Sequence, residues 1–236
     1  MAGSTAENLM KSSQNATKRP LVDIGEVIEN GVVFNLRNWQ REDVTMHGLP
    51  EAVERLFALL EERKIDYVLV GGVAMLQYVE GRNTQDIDLI LAPEALSQLP
   101  EIEVTGREDS FARGKFAGLR VDFLFTSHKL FQSVRQQHSA VQPFQARNVR
   151  CATVEGMLLL KLFALPSLYR QGQFARVGIY ENDIATLMQA YSPPVAPLLK
   201  QLEPHMSEGE MKSLCDIVEE IAERIRRFEA GRSSGS

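Results

Sequence analysis

The chain has 236 residues, 44% of them apolar and 24% charged, which fits one globular domain with an appendage or two small domains. Its 26 basic and 31 acidic residues give a net charge of −5, which argues against bulk electrostatic binding of nucleic acid but leaves open RNA binding through a local basic patch; we expect no DNA partner. With only Cys151 and Cys215 there is no disulfide framework, and no apolar run is long enough to span a membrane, so we expect a cytoplasmic protein.

The N-terminal part of the chain begins with a segment of low apolar content. Residues 1–20 are rich in Ser, Thr, Asn and Ala, so residues 1–45 are predicted to form a tail and extension that is partly disordered. Apolar residues at helical spacing then predict a helix from Leu49 to Lys64. The run Asp66–Val70 is predicted to be a buried strand that ends at Gly71-Gly72, followed by a short helix over Val73–Val79.

The remaining elements divide the chain into two parts. Strands are predicted over Asp86–Leu91, near Val104, and over Leu119–Phe125 after a turn at Ala117-Gly118, with a helix over Pro93–Leu99. Beyond Ser127 only helices are predicted, over Glu155–Leu165, Glu181–Ala190, Val195–Leu202 and Met211–Phe228. This order indicates an α+β fold, with an α/β domain over residues 46–150, a helical unit over residues 151–230 and a tail over residues 231–236.

The glycine pair Gly71-Gly72 lies between a strand and a helix, where two interpretations are open. Glycine permits a tight turn and close approach of a phosphate to the backbone, and the following helix offers free N–H groups to an anion. The alternative is that the glycines serve only the geometry of the turn.

Three aspartates lie on predicted strands. Because strand side chains alternate, Asp86 and Asp88 point to one face and Ile87 to the other, and such a carboxylate pair suits Mg²⁺. Asp122 lies in an apolar strand, where a carboxylate is costly without a partner or a metal. Three carboxylates brought together would hold two metal ions, as two-metal phosphoryl transfer requires. The alternatives are an exposed strand face, capping aspartates and an edge-strand aspartate.

The combination of these features is more specific than any part. Val70-Gly71-Gly72-Val73-Ala74, followed by Arg82-Asn83-Thr84-Gln85-Asp86-Ile87-Asp88-Leu89 and later by Asp122, resembles the nucleotidyltransferase superfamily with the DNA polymerase β-like fold. Within it, the pattern is most similar to the small prokaryotic branch that includes toxins of toxin–antitoxin and abortive-infection systems. The resemblance covers roughly residues 50–190, and implies a mixed sheet flanked by helices and followed by a helical unit.

The resemblance also implies roles for individual residues. Asp86, Asp88 and Asp122 would be metal ligands for two Mg²⁺ ions, or Mn²⁺, and Asp122 the general base. Gly71, Gly72, Val73, Arg82, Thr84 and Lys161 would bind the nucleotide. Asp183 would position Lys161 or the acceptor; the alternative is that it caps a helix. The alternative for Lys161 is that it snorkels at a helix edge.

The implied activity is transfer of a nucleoside monophosphate from an NTP to an acceptor hydroxyl, with release of pyrophosphate. The expected acceptor is an RNA or tRNA 3′ end, or a protein, in a setting with a possible cognate antitoxin. Two alternatives stay open: a small-molecule acceptor of the antibiotic type, and a non-catalytic binding protein of the same fold. Val73 favours the latter, because many active relatives carry Ser or Thr at that position.

Overall fold

A computed structural model describes residues 48–79, 84, 86–144 and 147–233. It contains seven strands: β1 (Tyr67–Val70), β2 (Asp86–Leu91), β3 (Glu103–Arg107), β4 (Phe111–Phe116), β5 (Leu119–Phe125), β6 (Ser139–Phe144) and β7 (Arg147–Ala152). The helices are α1 (Gly48–Glu62), α2 (Gly71–Met75), α3 (Lys129–Gln137), α4 (Val154–Arg170), α5 (Phe174–Tyr191), α6 (Val195–Leu202) and α7 (Glu208–Ser233). Short 3₁₀ helices cover Pro93–Gln98 and Glu203–His205.

The strands form one mixed sheet in the order β3-β4-β5-β2-β1-β7-β6. At its centre β2 pairs parallel with β5 and antiparallel with β1, and β1 pairs parallel with β7. The outer pairs β3–β4, β4–β5 and β6–β7 are antiparallel. Because β2 and β5 are neighbours in register, Asp88 lies directly opposite Asp122.

The helices after β7 pack on one another and on the sheet through a shared core. Helix α4 is the centre of this packing, since it contacts β7, α3, α5, α6 and α7. One cluster of buried apolar side chains continues from the sheet, for example Leu89 and Phe123, into the helices, for example Leu162, Ile184 and Ile221. Among the described helices none is long and apolar enough to cross a membrane.

The α+β class predicted from the sequence is confirmed, and three elements have the predicted bounds: β2, β5 and α6. The helix predicted over Pro93–Leu99 is a 3₁₀ helix. Helix α3 and strands β6 and β7 were not predicted. Helix α3 has only nine residues, and Pro143 and Arg150 break the apolar alternation of the hairpin. The sheet ends at Ala152, and the predicted N-terminal tail over residues 1–45 lies outside the described residues.

Candidate active site

The three aspartates lie on adjacent central strands. Along β2, Asp86 and Asp88 flank the buried Ile87, and on β5 Asp122 lies beside Asp88. The edge-strand alternative for Asp122 is therefore wrong, because β5 lies between β4 and β2. The side chain of Asp122 is only 15% exposed and that of Asp86 29%. Parallel register thus places two carboxylates next to each other and a third on the same strand face.

The surroundings of Asp88 and Asp122 favour the protonated carboxyl. Burial, followed by the negative charge of Asp122, raises the pKa of Asp88 from 3.8 to about 7. The backbone N–H of Gly72 donates a hydrogen bond to Asp88 and, with the charges of Lys161 and Arg176, acts in the opposite direction. Burial also raises the pKa of Asp122, against the charge of nearby arginines. Among the described residues, the positive charges of Lys161 and Arg176 do not offset the effects of burial and of Asp122 on Asp88.

Two arginines that the sequence analysis did not identify as site residues form ion pairs with Asp86 and Asp122. Arg120 of β5 binds Asp86, its partner across the parallel register. Arg113 Nε lies 3.6 Å from Asp122 Oδ1, within ion-pair distance, and the two residues are register partners across β4 and β5. The alternation of side chains along β5 could have predicted that Arg120 lies on the same strand face as Asp122. The position of Arg113 could not have been predicted in this way, because it follows from the register between β4 and β5.

The glycine pair is required by close packing. Gly71 has φ +68°, a left-handed conformation that favours glycine, and a Cβ atom at this position would overlap the carboxylate of Asp88. A Cβ atom on Gly72 would overlap the side chain of Thr84. Val73 is buried in the core. The glycines therefore support Asp88 directly, because one makes room for its carboxylate and the other donates its N–H to it.

Lys161 and Asp183 form a buried ion pair between helices α4 and α5. The distance from Lys161 Nζ to Asp183 Oδ2 is 2.6 Å, and both residues are buried. The Tyr180 ring centroid lies 4.4 Å from Lys161 Nζ. A lysine this deeply buried does not snorkel, and Asp183 lies in the interior of α5, so it does not cap that helix. Of the roles considered from the sequence, the geometry agrees with Asp183 as a positioning partner of Lys161.

A cavity of about 700 Å³ joins these elements between the sheet and helices α4 and α5. Its wall includes Gly71, Asp88 and Lys161 together with Arg113 and Arg176. Asp122 borders this region through its contact with Arg113 and its register with Asp88. Three of the residues predicted to bind the nucleotide are not part of the wall: Gly72, Val73 and Thr84. The wall also lacks Asp86, Asp122 and Asp183, and the predicted nucleotide ligand Arg82 lies outside the described residues.

The residues present fit a magnesium ion at Asp88 and Asp122. Carboxylate oxygens are the ligands that Mg²⁺ uses, and it needs only one or two of them when substrate phosphates complete its shell. Asp122 Oδ1 is buried and has no hydrogen-bond partner among the described residues. As the side chains stand, no group of three or more His, Cys, Asp or Glu residues in the described part of the chain is arranged to hold a metal ion. Asp86 forms an ion pair with Arg120 and is not arranged as a third metal ligand.

Comparisons with known proteins show the fold. A crystal structure of an antigenic nucleotidyltransferase-like protein from Paracoccidioides brasiliensis matches with a TM-score of 0.52 and 17% identity, over 75% of this chain and 91% of that one. The crystal structure of ANT(2″)-Ia in complex with adenylyl-2″-tobramycin matches at 14% identity and TM-score 0.46, over 70% and 95% of the two chains. The solution structure of the antibiotic-resistance factor ANT(2″)-Ia matches at 14% identity and TM-score 0.44, over 78% and 95%. No protein-family model and no curated sequence matches the chain.

The chain therefore has the fold of a nucleotidyltransferase-like protein, as its glycine pair and aspartates predicted.

Proposed function

We propose that this protein transfers a nucleoside monophosphate from an NTP to an acceptor hydroxyl. The observation that carries the proposal is the pair Asp88 and Asp122, side by side on parallel strands, with Asp88 and Lys161 both in the wall of one cavity. Cavities of this size bind small-molecule ligands of the nucleotide class. The nucleotidyltransferase-like fold supports the same reaction class.

Asp88 and Asp122 would hold Mg²⁺ or Mn²⁺, and Asp86 would join them by releasing Arg120. The metal would supply positive charge to the triphosphate and to the leaving pyrophosphate. Asp122 would also accept the proton of the acceptor hydroxyl, because its Oδ1 is buried and makes no hydrogen bond within the described structure. The acceptor oxygen attacks the α-phosphorus, and the bond from that phosphorus to pyrophosphate breaks.

The positive charges in the cavity wall would orient the triphosphate. Arg113 and Arg176 contribute guanidinium groups that match phosphate geometry. Lys161 is held by Asp183 and by the Tyr180 ring, so its ammonium group is fixed in position before the nucleotide binds. Gly71 keeps a Cβ atom out of the region that the phosphates would approach. Such preorganisation places charge at the reacting centre without cost at the time of reaction.

The acceptor that we favour is an RNA 3′ end or a protein hydroxyl, in a toxin–antitoxin-like setting with a cognate antitoxin as a possible partner. The support for this setting is the sequence resemblance around Gly71-Gly72 and Asp86-Ile87-Asp88. A small-molecule acceptor is the alternative within the same reaction, and its hydroxyl would enter the same cavity.

Label transfer tests the reaction. The protein is incubated with Mg²⁺ and each α-³²P-NTP in turn, with total RNA, with a protein extract and with a panel of aminoglycosides. We expect label on one acceptor class, and a loss of at least a hundredfold in Asp122→Asn. The matched control is Asp216→Asn, because Asp216 is an exposed carboxylate on α7, outside the strands that carry the three aspartates. Equal transfer by wild type and Asp122→Asn would refute the proposal.

A non-catalytic nucleotide-binding protein is a second candidate, and two observations favour it. The N–H of Gly72 is already engaged by Asp88, and the residue that follows is a buried valine without a hydroxyl group. This candidate predicts metal-dependent NTP binding by calorimetry without label transfer to any acceptor. Binding that is lost in Asp122→Asn, with no transfer in wild type, would establish it.

A further inference from the structure

The cavity that contains Asp88 and Lys161 has a second end of different chemistry. Four rings, here called the ring cluster, meet there: His128, Phe131, Phe163 and His205. The ring centroid of His128 lies 4.6 Å from that of Phe131, 5.2 Å from that of Phe163 and 5.3 Å from that of His205. Phe131, Phe163 and His205 belong to the cavity wall. The ring cluster joins distant parts of the chain, since His128 and Phe131 lie at and in α3, Phe163 in α4 and His205 in the 3₁₀ helix Glu203–His205.

Strand β5 sets the distance between the two ends. Asp122 and Leu124 share one face of β5, and Leu124 lines the cavity beyond the carboxylates. The strand continues to Phe125, about 10 Å beyond Asp122 at the usual rise per residue, and His128 follows after a short turn. A ligand that extends along β5 therefore meets charged groups first and the ring cluster last. An extended nucleotide has the same order, with phosphates at one end and a flat base at the other.

The ring cluster presents aromatic surface to the cavity. Burial, followed by the neighbouring His205, lowers the pKa of His128, so its imidazole is neutral at pH 7. His128 Nδ1 is buried and has no hydrogen-bond partner in the part of the chain that the structure describes. Phe163 and His205 are partly buried and complete the wall with ring surface. Aromatic surface of this kind binds flat heteroaromatic groups by stacking.

We propose that the ring cluster is a nucleobase subsite. The rings of Phe163 and His205 lie at 83° to each other, so a base stacks on one of them and meets the other edge to face, with its phosphates at the Asp88 and Lys161 end. This inference rests on the proposed function, because it places the base of that reaction's nucleotide. The base comes from the donor NTP or from the terminal nucleotide of an RNA acceptor, and stacking serves both sources. A polycationic small-molecule acceptor without an aromatic ring would gain no binding energy from stacking on this surface.

Calorimetry with three probes tests the subsite: each NTP, inorganic tripolyphosphate and a short RNA with a free 3′ hydroxyl, all with Mg²⁺. The variants are Phe163→Leu and His205→Ala, with Phe228→Leu as the matched control, since Phe228 lies on α7 outside this cavity. For a donor base, wild type binds an NTP more tightly than tripolyphosphate. Both variants then lose about 5- to 100-fold in NTP affinity, the range that stacking on one aromatic side chain contributes, and keep tripolyphosphate affinity.

For an acceptor base, an NTP and tripolyphosphate bind equally well, and the variants lose affinity for the RNA alone. Either pattern supports the subsite and identifies the source of the base. Variants that bind all three probes like wild type would overturn it while leaving the proposed function intact. Failure of wild type to bind any probe would overturn the proposed function and the subsite together.

Discussion

Asp88→Asn should make the metal-free protein more stable and remove its response to metal. Burial, followed by the negative charge of Asp122, raises the pKa of the Asp88 carboxyl from 3.8 to about 7, although the N–H of Gly72 donates a hydrogen bond to it. That difference corresponds to about 4 kcal/mol against the ionised carboxylate in the folded state. Asparagine keeps an oxygen that accepts the Gly72 hydrogen bond and carries no charge, so the variant avoids this cost.

The pH dependence of stability follows from the direction of the shift. Below pH 4 the carboxyl of Asp88 is protonated in both the folded and the unfolded protein and contributes nothing. Between pH 4 and pH 7 the unfolded chain loses the proton first, so the free energy of unfolding falls as pH rises. Above pH 7 the loss is complete. Relaxation of the structure around the carboxylate reduces the cost of about 4 kcal/mol given above. We therefore expect the free energy of unfolding of Asp88→Asn to exceed that of wild type by about 1–4 kcal/mol at pH 8.

Urea unfolding followed by far-UV circular dichroism measures this gain. At pH 8 without metal the variant should unfold at higher urea than wild type, and the gap should nearly close at pH 4. Adding Mg²⁺ or Mn²⁺ at pH 8 should stabilise wild type and leave Asp88→Asn unchanged, because the metal replaces the missing positive charge. Asp216→Asn, an exposed carboxylate on α7, should show neither effect. A gap that is the same at pH 4 and pH 8 would refute the reasoning.

Two further predictions concern the supports of the site. Gly71→Ala should lower the free energy of unfolding, measured in urea, more than Gly118→Ala does. Both glycines have positive φ (68° and 83°), but only a Cβ atom on Gly71 would overlap Asp88. Equal losses in the two variants would contradict the close packing. Lys161→Met should lower the free energy of unfolding by about 3 kcal/mol, because it removes the positive charge paired with buried Asp183. Adding Asp183→Leu should recover most of that loss but no label transfer, and a single variant as stable as wild type would contradict the ion pair's importance.

The features that the sequence predicted well are those fixed by local pattern. Alternation along Asp86-Ile87-Asp88 defines which side chains share a face, and the apolar run around Asp122 predicts a strand, although only the sheet order shows that it is not an edge strand. The order of these elements, with Gly71-Gly72 between strand and helix, is enough to indicate the nucleotidyltransferase-like fold that the structure has. Such signals are contained within about ten residues of chain each.

The features that the sequence did not predict depend on contacts between distant segments. Strand β7 contributes a parallel neighbour to β1, yet Arg147–Ala152 mixes charged and apolar residues without a clear period. The pairing of Lys161 with Asp183 was one of several alternatives, and only the packing of α4 on α5 selects it. The ring cluster is similar, since His128 and His205 are 77 positions apart in the sequence and meet only in the packed structure.

The charge balance of the site explains why Asp88 differs from the other two aspartates. Asp86 has Arg120 and Asp122 has Arg113 as ion-pair partners across neighbouring strands. No ion pair within 4 Å reaches Asp88 from any residue that the structure describes, and Lys161 and Arg176 act on it only from a distance. Removing the charge of Asp88 therefore relieves repulsion, whereas removing that of Asp86 leaves an arginine without its carboxylate. The divalent cation proposed at Asp88 would supply a positive charge that no described side chain brings within ion-pair distance of this carboxylate.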